Sequence, residues 1–486
     1  MKTFARLLAY LMLLATAGCG GGGGGGGSDG PGGNNPPPSG GIVRTGFAIG
    51  PIANFGSVIV NGVRYSTTGA TITIDDSPGV ESDLRVGQVV SISGELDASL
   101  TSGTASQISF DDSVEGPVQS IDSIASTLVV LGQTVRIGAD TSFDDNIQPA
   151  SLAGLVVGDL VEVSGLVMAD GSIDATRIEK KPAGSLFEVH GIIAGLDTVN
   201  RRFNLNALVV DYSAAQLDDF PGGQISDGQP VEAKGSAVDV NGVLIATRVE
   251  FEGPIVTGAA GDRIEIEGFI TRFVSSQDFD VSGVPVTTGA ATVFEGGTAA
   301  DLGLNVKVEV EGSMTAGGAI AASKVDIRRA SAVRVTAIVD SVNSAANSLD
   351  LLGITVRIDA LTRLEDKSSA DVDPLTISSI NAGDYLEVRG SELPAGSGDI
   401  LATIVERDDA DTETILQGFV TSVANPSFAI LGVTITANGA TQFRDTDDSA
   451  ISAAEFFSRV AAGTLVKAKG LETSATALTA DEVEFE

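Results

Sequence analysis

Short runs in which apolar and polar residues alternate recur along the chain after residue 42, and this period of two predicts β-strands. The clearest run is GDLVEVSG from Gly158 to Gly165, where Val161 and Val163 are expected to face one side and Glu162 the other. Related phrases are GQVVSISG from Gly87, GQPVEAKG from Gly228, NVKVEVEG from Asn305, GDYLEVRG from Gly383 and GTLVKAKG from Gly463. Their start-to-start spacings of 71, 70, 77, 78 and 80 residues indicate six copies of one supersecondary unit.

Further strands are predicted on both sides of this phrase. Each copy opens with a strand around a glycine, such as EGPV at Glu115 or HGII at His190. A hairpin follows, most clearly in VIVNGVRY from Val58, where an Asn-Gly pair separates two alternating runs. Glycine occupies the turn in five copies, and Ala207 takes its place in the third.

The last part of each copy completes a five-stranded unit. A variable segment comes after the hairpin, and in the last copy residues 451–460 have apolar positions at helical spacing. The glycine-bounded phrase then supplies a fourth strand, and runs such as ATRIE at Ala175 supply a fifth. Five strands with an optional helix between the third and fourth predict an OB-like barrel, with a small β-sandwich as the alternative.

The predicted fold class is therefore all-β, with six tandem small five-stranded OB-like barrels arranged as a string. We refer to the copies as repeats 1 to 6. Their expected bounds are residues 42–113, 114–184, 185–260, 261–330, 331–411 and 412–486.

The N-terminal residues predict export and a lipid anchor. Residues 1–18 combine a basic start with an apolar run of 11 residues, which is typical of a signal peptide and too short to span a bilayer. The run ends at Cys19, the only cysteine, in a setting that resembles the bacterial lipobox. We therefore expect lipidation of Cys19, attachment to the outer membrane, and a flexible Gly/Pro tether over residues 19–41.

The same motifs carry a family resemblance. The G-D-x-V-E-V-x-G phrase, the L-G-x-T-V hairpin, the A-T-R-I-E ending and the lipobox together resemble a family of bacterial envelope proteins described as a domain of unknown function, which often occurs in tandem. The resemblance covers nearly all of residues 42–486. It implies a fold and a cellular location, and it carries no catalytic residues.

Composition narrows the range of functions. A formal net charge of −35 disfavours nucleic acid as a partner and favours cations or cationic proteins. A single histidine, His190, leaves one candidate for acid-base catalysis, and because its slot is polar in every repeat we expect a surface side chain there. Arg177, Arg248 and Lys324 are expected to pair with Glu179, Glu250 and Asp326. We predict no enzymatic activity and no catalytic residues.

Acidic residues recur after the hairpins, and calcium is the cofactor that they could bind, since it prefers six to eight oxygen ligands. Aspartate is equally suited to solvated turns, where its side chain bonds the local backbone. The candidate cation-binding residues are Asp75, Asp76, Asp144, Asp145, Asp218, Asp219, Asp366, Asp445, Asp447 and Asp448.

The function expected from these features is that of a lipid-anchored, multivalent, acidic structural or binding module of the cell envelope. Its membrane contact would be the N-terminal lipid. The alternatives are a polysaccharide- or calcium-binding surface protein and an assembly factor for an envelope complex. The sequence leaves the ligand, the partner and the oligomeric state open.

Overall fold

The computed structural model describes residues 44–253, 255–256, 258–328, 331–394, 396–446 and 449–486. These residues are almost entirely strands and turns, so the all-β prediction is confirmed. The signal peptide, Cys19 and the tether lie outside the described residues. Among the residues that the structure describes, no helix is long and apolar enough to cross a membrane.

The first three repeats are built from nineteen strands in the described part of the chain. Repeat 1 contains β1 (Arg44–Asn54), β2 (Val58–Val60), β3 (Val63–Ser66), β4 (Thr71–Ile74), β5 (Ser77–Gly79), β6 (Val89–Leu96) and β7 (Ser102–Phe110). Repeat 2 contains β8 (Val114–Asp122), β9 (Thr127–Val130), β10 (Gln133–Phe143), β11 (Leu160–Val167) and β12 (Ile173–Lys180). Repeat 3 contains β13 (Phe187–Ile192), β14 (Ala194–Asp197), β15 (Arg202–Leu205), β16 (Leu208–Asp211), β17 (Gln216–Asp218), β18 (Pro230–Val238) and β19 (Leu244–Phe251).

The last three repeats follow the same plan. Repeat 4 contains β20 (Arg263–Ser275), β21 (Asp278–Val281), β22 (Val284–Thr287), β23 (Val293–Glu295), β24 (Lys307–Met314) and β25 (Ile320–Arg328). Repeat 5 contains β26 (Val333–Asn343), β27 (Ser348–Leu351), β28 (Ile354–Arg357), β29 (Arg363–Asp366), β30 (Tyr385–Glu392) and β31 (Ile400–Asp408). Repeat 6 contains β32 (Thr414–Ala424), β33 (Ser427–Ile430), β34 (Val433–Arg444), β35 (Ala450–Ile451), helix α1 (Ala453–Arg459), β36 (Leu465–Ser474) and β37 (Ala477–Phe485).

The segment before the fourth strand is a single 3₁₀ turn in repeats 1 to 5 and the α-helix α1 in repeat 6. The 3₁₀ turns span Glu81–Asp83, Leu152–Gly154, Pro221–Gly223, Ala299–Asp301 and Ile377–Ser379. Helix α1 lies within the predicted segment 451–460, so that prediction is confirmed. Its Phe456 is fully buried and packs on the rings of Phe428, Phe443 and Phe485, which explains why this repeat accommodates a longer element.

A closed ring of strand pairs forms the barrel. In repeat 2, β8 pairs with β9, β9 with β10, β10 in parallel with β12, β12 with β11, and β11 with β8 again. Repeat 5 has the same ring in β26, β27, β28, β31 and β30. The prediction of small five-stranded barrels is confirmed, and closure leaves few strand edges free to aggregate.

The barrels are joined two by two through their first strands. Repeat 1 joins repeat 4 through parallel β1 and β20, repeat 2 joins repeat 3 through β8 and β13, and repeat 5 joins repeat 6 through β26 and β32. Each first strand begins several residues beyond the end of the short second strand with which it pairs, so this part of its edge would otherwise be exposed. The first strand of another repeat covers that edge. The pairing of repeats 1 and 4 also shows that the repeats do not form a linear string.

The apolar cores follow this pairing. One continuous core of buried side chains spans repeats 5 and 6, and another spans repeats 2 and 3. Repeats 1 and 4 have separate cores, although Ile49 of β1 packs into the core of repeat 4. The predicted hairpin of repeat 1 is confirmed, because Val58 pairs with Tyr65 across a turn in which Asn61 and Gly62 both have positive φ.

Candidate functional site

The glutamate of the glycine-bounded phrase is the most regular polar feature of the fold. Val161 and Val163 face the barrel core, and Glu162 faces outward, as predicted. However, Glu162 is only 3% exposed, because other parts of the molecule cover the outer face of the barrel. The glutamates at the same position in repeats 3, 4 and 5 are also buried, and they are Glu232, Glu309 and Glu387.

Each of these glutamates lies opposite a second carboxylate on the fifth strand. The pairs in register are Glu162 with Glu179, Glu232 with Glu250, Glu309 with Asp326, and Glu387 with Glu406. Like charges directly across a sheet repel one another, and buried carboxylates require partners. A lysine or arginine near each pair provides the ionic partner.

Repeat 5 illustrates how a base neutralises such a pair. Arg389 bonds both Glu387 and Glu406, and Lys367 lies 2.9 Å from Glu406. Burial raises the pKa of a carboxyl, yet the charges of Arg389 and Lys367 outweigh burial and hold the pKa of Glu406 at about 2. Glu406 is therefore ionised at neutral pH.

Arg389 and two other arginines donate hydrogen bonds to backbone carbonyls of other repeats. Arg389 Nη1 donates to the carbonyl oxygens of Ala139 and Thr141 in repeat 2, at 3.0 Å each. Arg363 Nη1 donates to Thr176 O at 3.1 Å. In the other direction, Arg177 Nη1 donates to Val86 O in repeat 1 and to Glu365 in repeat 5, both at 3.1 Å. These charge-assisted contacts connect repeats 1, 2 and 5.

The predicted pairing of the fifth-strand bases holds for two of the three. Arg177 pairs with Glu179, and Arg248 pairs with Glu250. The Nζ of Lys324 instead lies 3.1 Å from carboxylate oxygens of both Glu295 and Glu311, and Arg328 forms the ion pair with Asp326.

Where repeats 2 and 3 meet, carboxylates outnumber bases. Glu115 of β8 lies in register with Glu162 of β11 on one side and with Glu188 of β13 on the other. Lys181 flanks this row at Glu162, and Lys234 flanks it at Glu188, with Nζ 2.9 Å from the carboxylate. Among the described residues, the one base that forms an ion pair with Glu115 is Lys181, at 3.8 Å.

Two aspartates of repeat 1 complete the cluster. Asp75 follows β4, and its Oδ1 accepts a hydrogen bond from the backbone N–H of Asp112 at 3.3 Å. Asp112 lies between β7 and β8 and is 3% exposed, and neither of its carboxylate oxygens has a hydrogen-bond partner in the described structure. We refer to Asp75, Asp112, Glu115, Glu162 and Glu188 as the junction carboxylates.

The junction carboxylates hold their protons more tightly than isolated carboxyls. Burial is the largest cause, and neighbouring carboxylates add to it. Together they raise the pKa of Asp75 to about 7 and that of Asp112 well above its ordinary value. The pKa of Glu115 also rises to about 7, because burial outweighs the opposing charge of Lys181.

Two smaller groups of carboxylates lie elsewhere. Asp76, Glu232 and Glu250 come together, but Lys234 and Arg248 neutralise them. Glu265, Glu309 and Glu311 come together in repeat 4. In that group Arg263 and Arg328 pair with Glu311 and Glu309, while burial and the charge of Glu309 raise the pKa of Glu265 well above its ordinary value.

The prediction that His190 is a surface side chain is wrong. Its side chain is 18% exposed and lies between Glu252, which bonds Nδ1, and Glu232, which is 3.4 Å from Nε2. Burial alone would lower the pKa of the imidazole, but the hydrogen bonds and charges of Glu232 and Glu252 raise it well above its usual value. Glu232 and Glu252 lie against the two ring nitrogens and cover much of the side chain.

Of the predicted cation-binding residues that the structure describes, two lie in clusters of acids, Asp75 and Asp76. Asp218 pairs with Arg248, Asp366 with Arg407, and Asp445 with Arg459. Asp144 and Asp145 lie in a turn after β10, and Asp219 lies in a turn after β17. Asp447 and Asp448 lie outside the described residues. Cation binding at these loops stays a prediction.

Sequence reasoning named Asp75 as a candidate ligand and overlooked the other four junction carboxylates, Asp112, Glu115, Glu162 and Glu188. Glu115 could have been found, because it precedes the opening glycine of its repeat and must lie across from Glu162 once the first and fourth strands pair. Glu188 joins the row through the contact between repeats, for which no sequence signal exists.

Comparison with known proteins gives a clear family. The model of the family described as Domain of unknown function (DUF5666) matches residues 48–109, 115–179, 267–326, 335–406 and 417–484. The chain belongs to this family. The matched segments cover more than half of the DUF5666 chain, and residues 180–266, which contain repeat 3, lie between two of them. No curated protein matches the chain.

Proposed function

We propose that this DUF5666 protein is a non-enzymatic, lipid-anchored protein of the cell envelope. In this proposal residues 1–18 direct export, Cys19 carries the lipid in the outer membrane, and residues 19–41 tether an acidic body of six OB-like barrels. The body serves as a multivalent structural or binding module.

The buried ion pairs between barrels support this proposal. The glutamate that recurs in the glycine-bounded phrase is buried with a base in repeats 2 to 5, as for Glu387 with Arg389. Arg177 and Arg389 extend from such pairs to the backbone of other repeats, and Arg363 also binds the backbone of repeat 2. The most regular polar residues of the fold therefore hold barrels together, which is the chemistry of an assembled scaffold.

The charge of the chain indicates the type of partner. Many of the bases are used in these internal pairs, whereas the formal net charge is −35. Such a body attracts cationic proteins and metal ions and repels phosphate backbones. Polysaccharide binding and a role in assembling an envelope complex are the alternatives that the sequence leaves open.

Membrane fractionation of cells that express the full chain tests this proposal. The wild-type protein should incorporate radiolabelled palmitate and sediment with the outer membrane, and Cys19→Ser should remove the label and the anchoring. Ser28→Ala, a substitution within the tether, serves as the control and should change neither property. A wild-type protein without label, or one that stays in the soluble fraction, would contradict the proposal.

A further inference from the structure

The junction carboxylates contain more negative charge than the surrounding bases neutralise. When all five are ionised, they face the ammonium groups of Lys181 and Lys234, and Lys234 is shared with Glu232 at 2.7 Å. The imidazolium of His190 also acts on Asp112 and Glu188, so five negative charges meet three positive ones. Asp112 has no hydrogen-bond partner for either oxygen, although it is 3% exposed, and one oxygen of Glu115 is also buried without a partner. A buried carboxylate without a partner is costly and calls for a specific explanation.

The local backbone holds Asp112 in this position. The N–H of Ser113 donates to Val163 O at 2.8 Å, and the N–H of Asp75 donates to Phe110 O at 3.0 Å. Asp112 lies between these two anchored points, which hold its backbone in place. Its side chain is 3% exposed, and its carboxylate lies among those of the other acids.

Two trios of these oxygens each have the spacing that a metal ion requires. One oxygen each from Asp75, Asp112 and Glu188 lie within 4.8 Å of one another, and the same holds for Asp112, Glu115 and Glu162. Two oxygens on opposite sides of a calcium ion, each at about 2.4 Å, are separated by about 4.8 Å. Asp112 belongs to both trios and is the centre of the arrangement.

We propose that the junction carboxylates bind one calcium ion, with Asp112 as the shared ligand between repeats 1, 2 and 3. Calcium suits the site because it accepts many carboxylate oxygens in an irregular geometry, whereas magnesium requires a near-octahedral set and keeps water. With all five carboxylates ionised and Lys181, Lys234 and His190 protonated, one divalent ion brings the net charge to about zero, and a second ion would make it positive. The site is independent of the envelope role proposed above.

Calorimetric titration of the calcium-depleted full chain with CaCl2 tests this site. Wild type should bind one ion per chain, and Asp112→Asn should weaken binding by about tenfold or more, because affinity depends on the number of charged ligands. Two variants serve as controls and should retain binding. Asp145→Asn removes an exposed loop acid, and Glu265→Gln alters the separate carboxylate group of repeat 4.

A second measurement separates a ligand from a merely structural aspartate. Without calcium, Asp112→Asn should melt at the same temperature as wild type or higher, because the substitution removes an unpartnered buried charge. With calcium, wild type should melt at a higher temperature and Asp112→Asn should not respond.

Four results would overturn the proposal. They are the absence of binding by wild type at millimolar CaCl2, unchanged binding by Asp112→Asn, loss of binding in Glu265→Gln, and equal binding of MgCl2.

Discussion

Glu115 of β8 lies directly opposite Glu188 of β13, in the register that joins repeats 2 and 3. Both side chains are less than a tenth exposed, and Glu162 lies opposite Glu115 on its other side. A sheet that places three carboxylates in adjacent strands stores repulsion, which protons, lysines or a metal ion must relieve. The contact between the repeats should therefore depend on the ions in solution.

The first prediction concerns the pH dependence of stability in the metal-free protein. The pKa of Glu115 is raised from 4.5 to about 7 in the folded state. Folding therefore retains a proton that the unfolded chain releases, and stability falls as the pH rises from about 4.5 to about 7.5. A shift of this size corresponds to up to about 3 kcal/mol.

Thermal melts of wild type and Glu115→Gln between pH 4.5 and 8 measure this effect. The variant should show a flatter profile and should be more stable than wild type at pH 8. Glu95→Gln, which alters an exposed glutamate of β6, should keep the wild-type profile. Parallel profiles for wild type and Glu115→Gln would show that the junction carboxylates do not titrate in this range.

The second prediction concerns the contact between repeats 2 and 5. Arg389→Met should destabilise the protein by about 3–5 kcal/mol, because it leaves buried Glu387 and Glu406 without their shared base. It also removes the bonds to Ala139 O and Thr141 O, so amide exchange should increase around residues 139–142. Arg357→Met breaks an exposed ion pair with Asp399 and should change stability by less than about 0.5 kcal/mol. Similar effects of the two substitutions would contradict this assignment.

Local chemistry explains why the strands and hairpins were predictable. The alternation around Glu162 fixes which side chains enter the barrel, and Asn61 with Gly62 fixes a tight turn. The choice of partner for each first strand could not be predicted, because these strands share one pattern. Packing of complete barrels decides that β1 joins β20, which lies more than two hundred residues away.

The error at His190 has the same origin. Its slot holds polar residues in every repeat, which is typical of an outward-facing strand position. In the structure Glu115, Glu267 and Thr336 at this slot are each less than a tenth exposed. A polar pattern within one repeat indicates which side chains point away from the barrel core. The packing of the repeats against one another determines which of those side chains are exposed to solvent.

The third prediction is that His190 carries a proton at neutral pH. Glu232 and Glu252 raise its pKa well above 6.5, so its contribution to stability is complete below about pH 6.5 and is lost as the pH rises through the folded-state pKa. NMR can follow this directly, because a single histidine gives one set of imidazole resonances. The signals should show a doubly protonated ring at pH 7.5.

A variant extends this test to stability. His190→Gln introduces the residue found at this slot in repeat 6, and it should lower stability most below pH 6.5 and progressively less at higher pH. A neutral imidazole at pH 7, or a stability loss that does not vary with pH, would show that the two glutamates do not control this side chain.

The fourth prediction compares two glycines that open the glycine-bounded phrase. Gly87 and Gly228 both have positive φ, near 87° and 84°, so alanine should cost about 1–2 kcal/mol at either position. At Gly87 a Cβ would also lie 2.8 Å from Thr176 O of repeat 2, whereas at Gly228 it would meet nothing within 4 Å. Gly87→Ala should therefore destabilise the protein by a further 1–3 kcal/mol, roughly the cost of overpacking, as measured by chemical denaturation.

Gly228→Asn should cost less than Gly228→Ala, because Asn305 adopts a φ of 62° at the same slot in repeat 4. Equal losses for the two alanine variants would show that repeats 1 and 2 do not pack closely at Gly87.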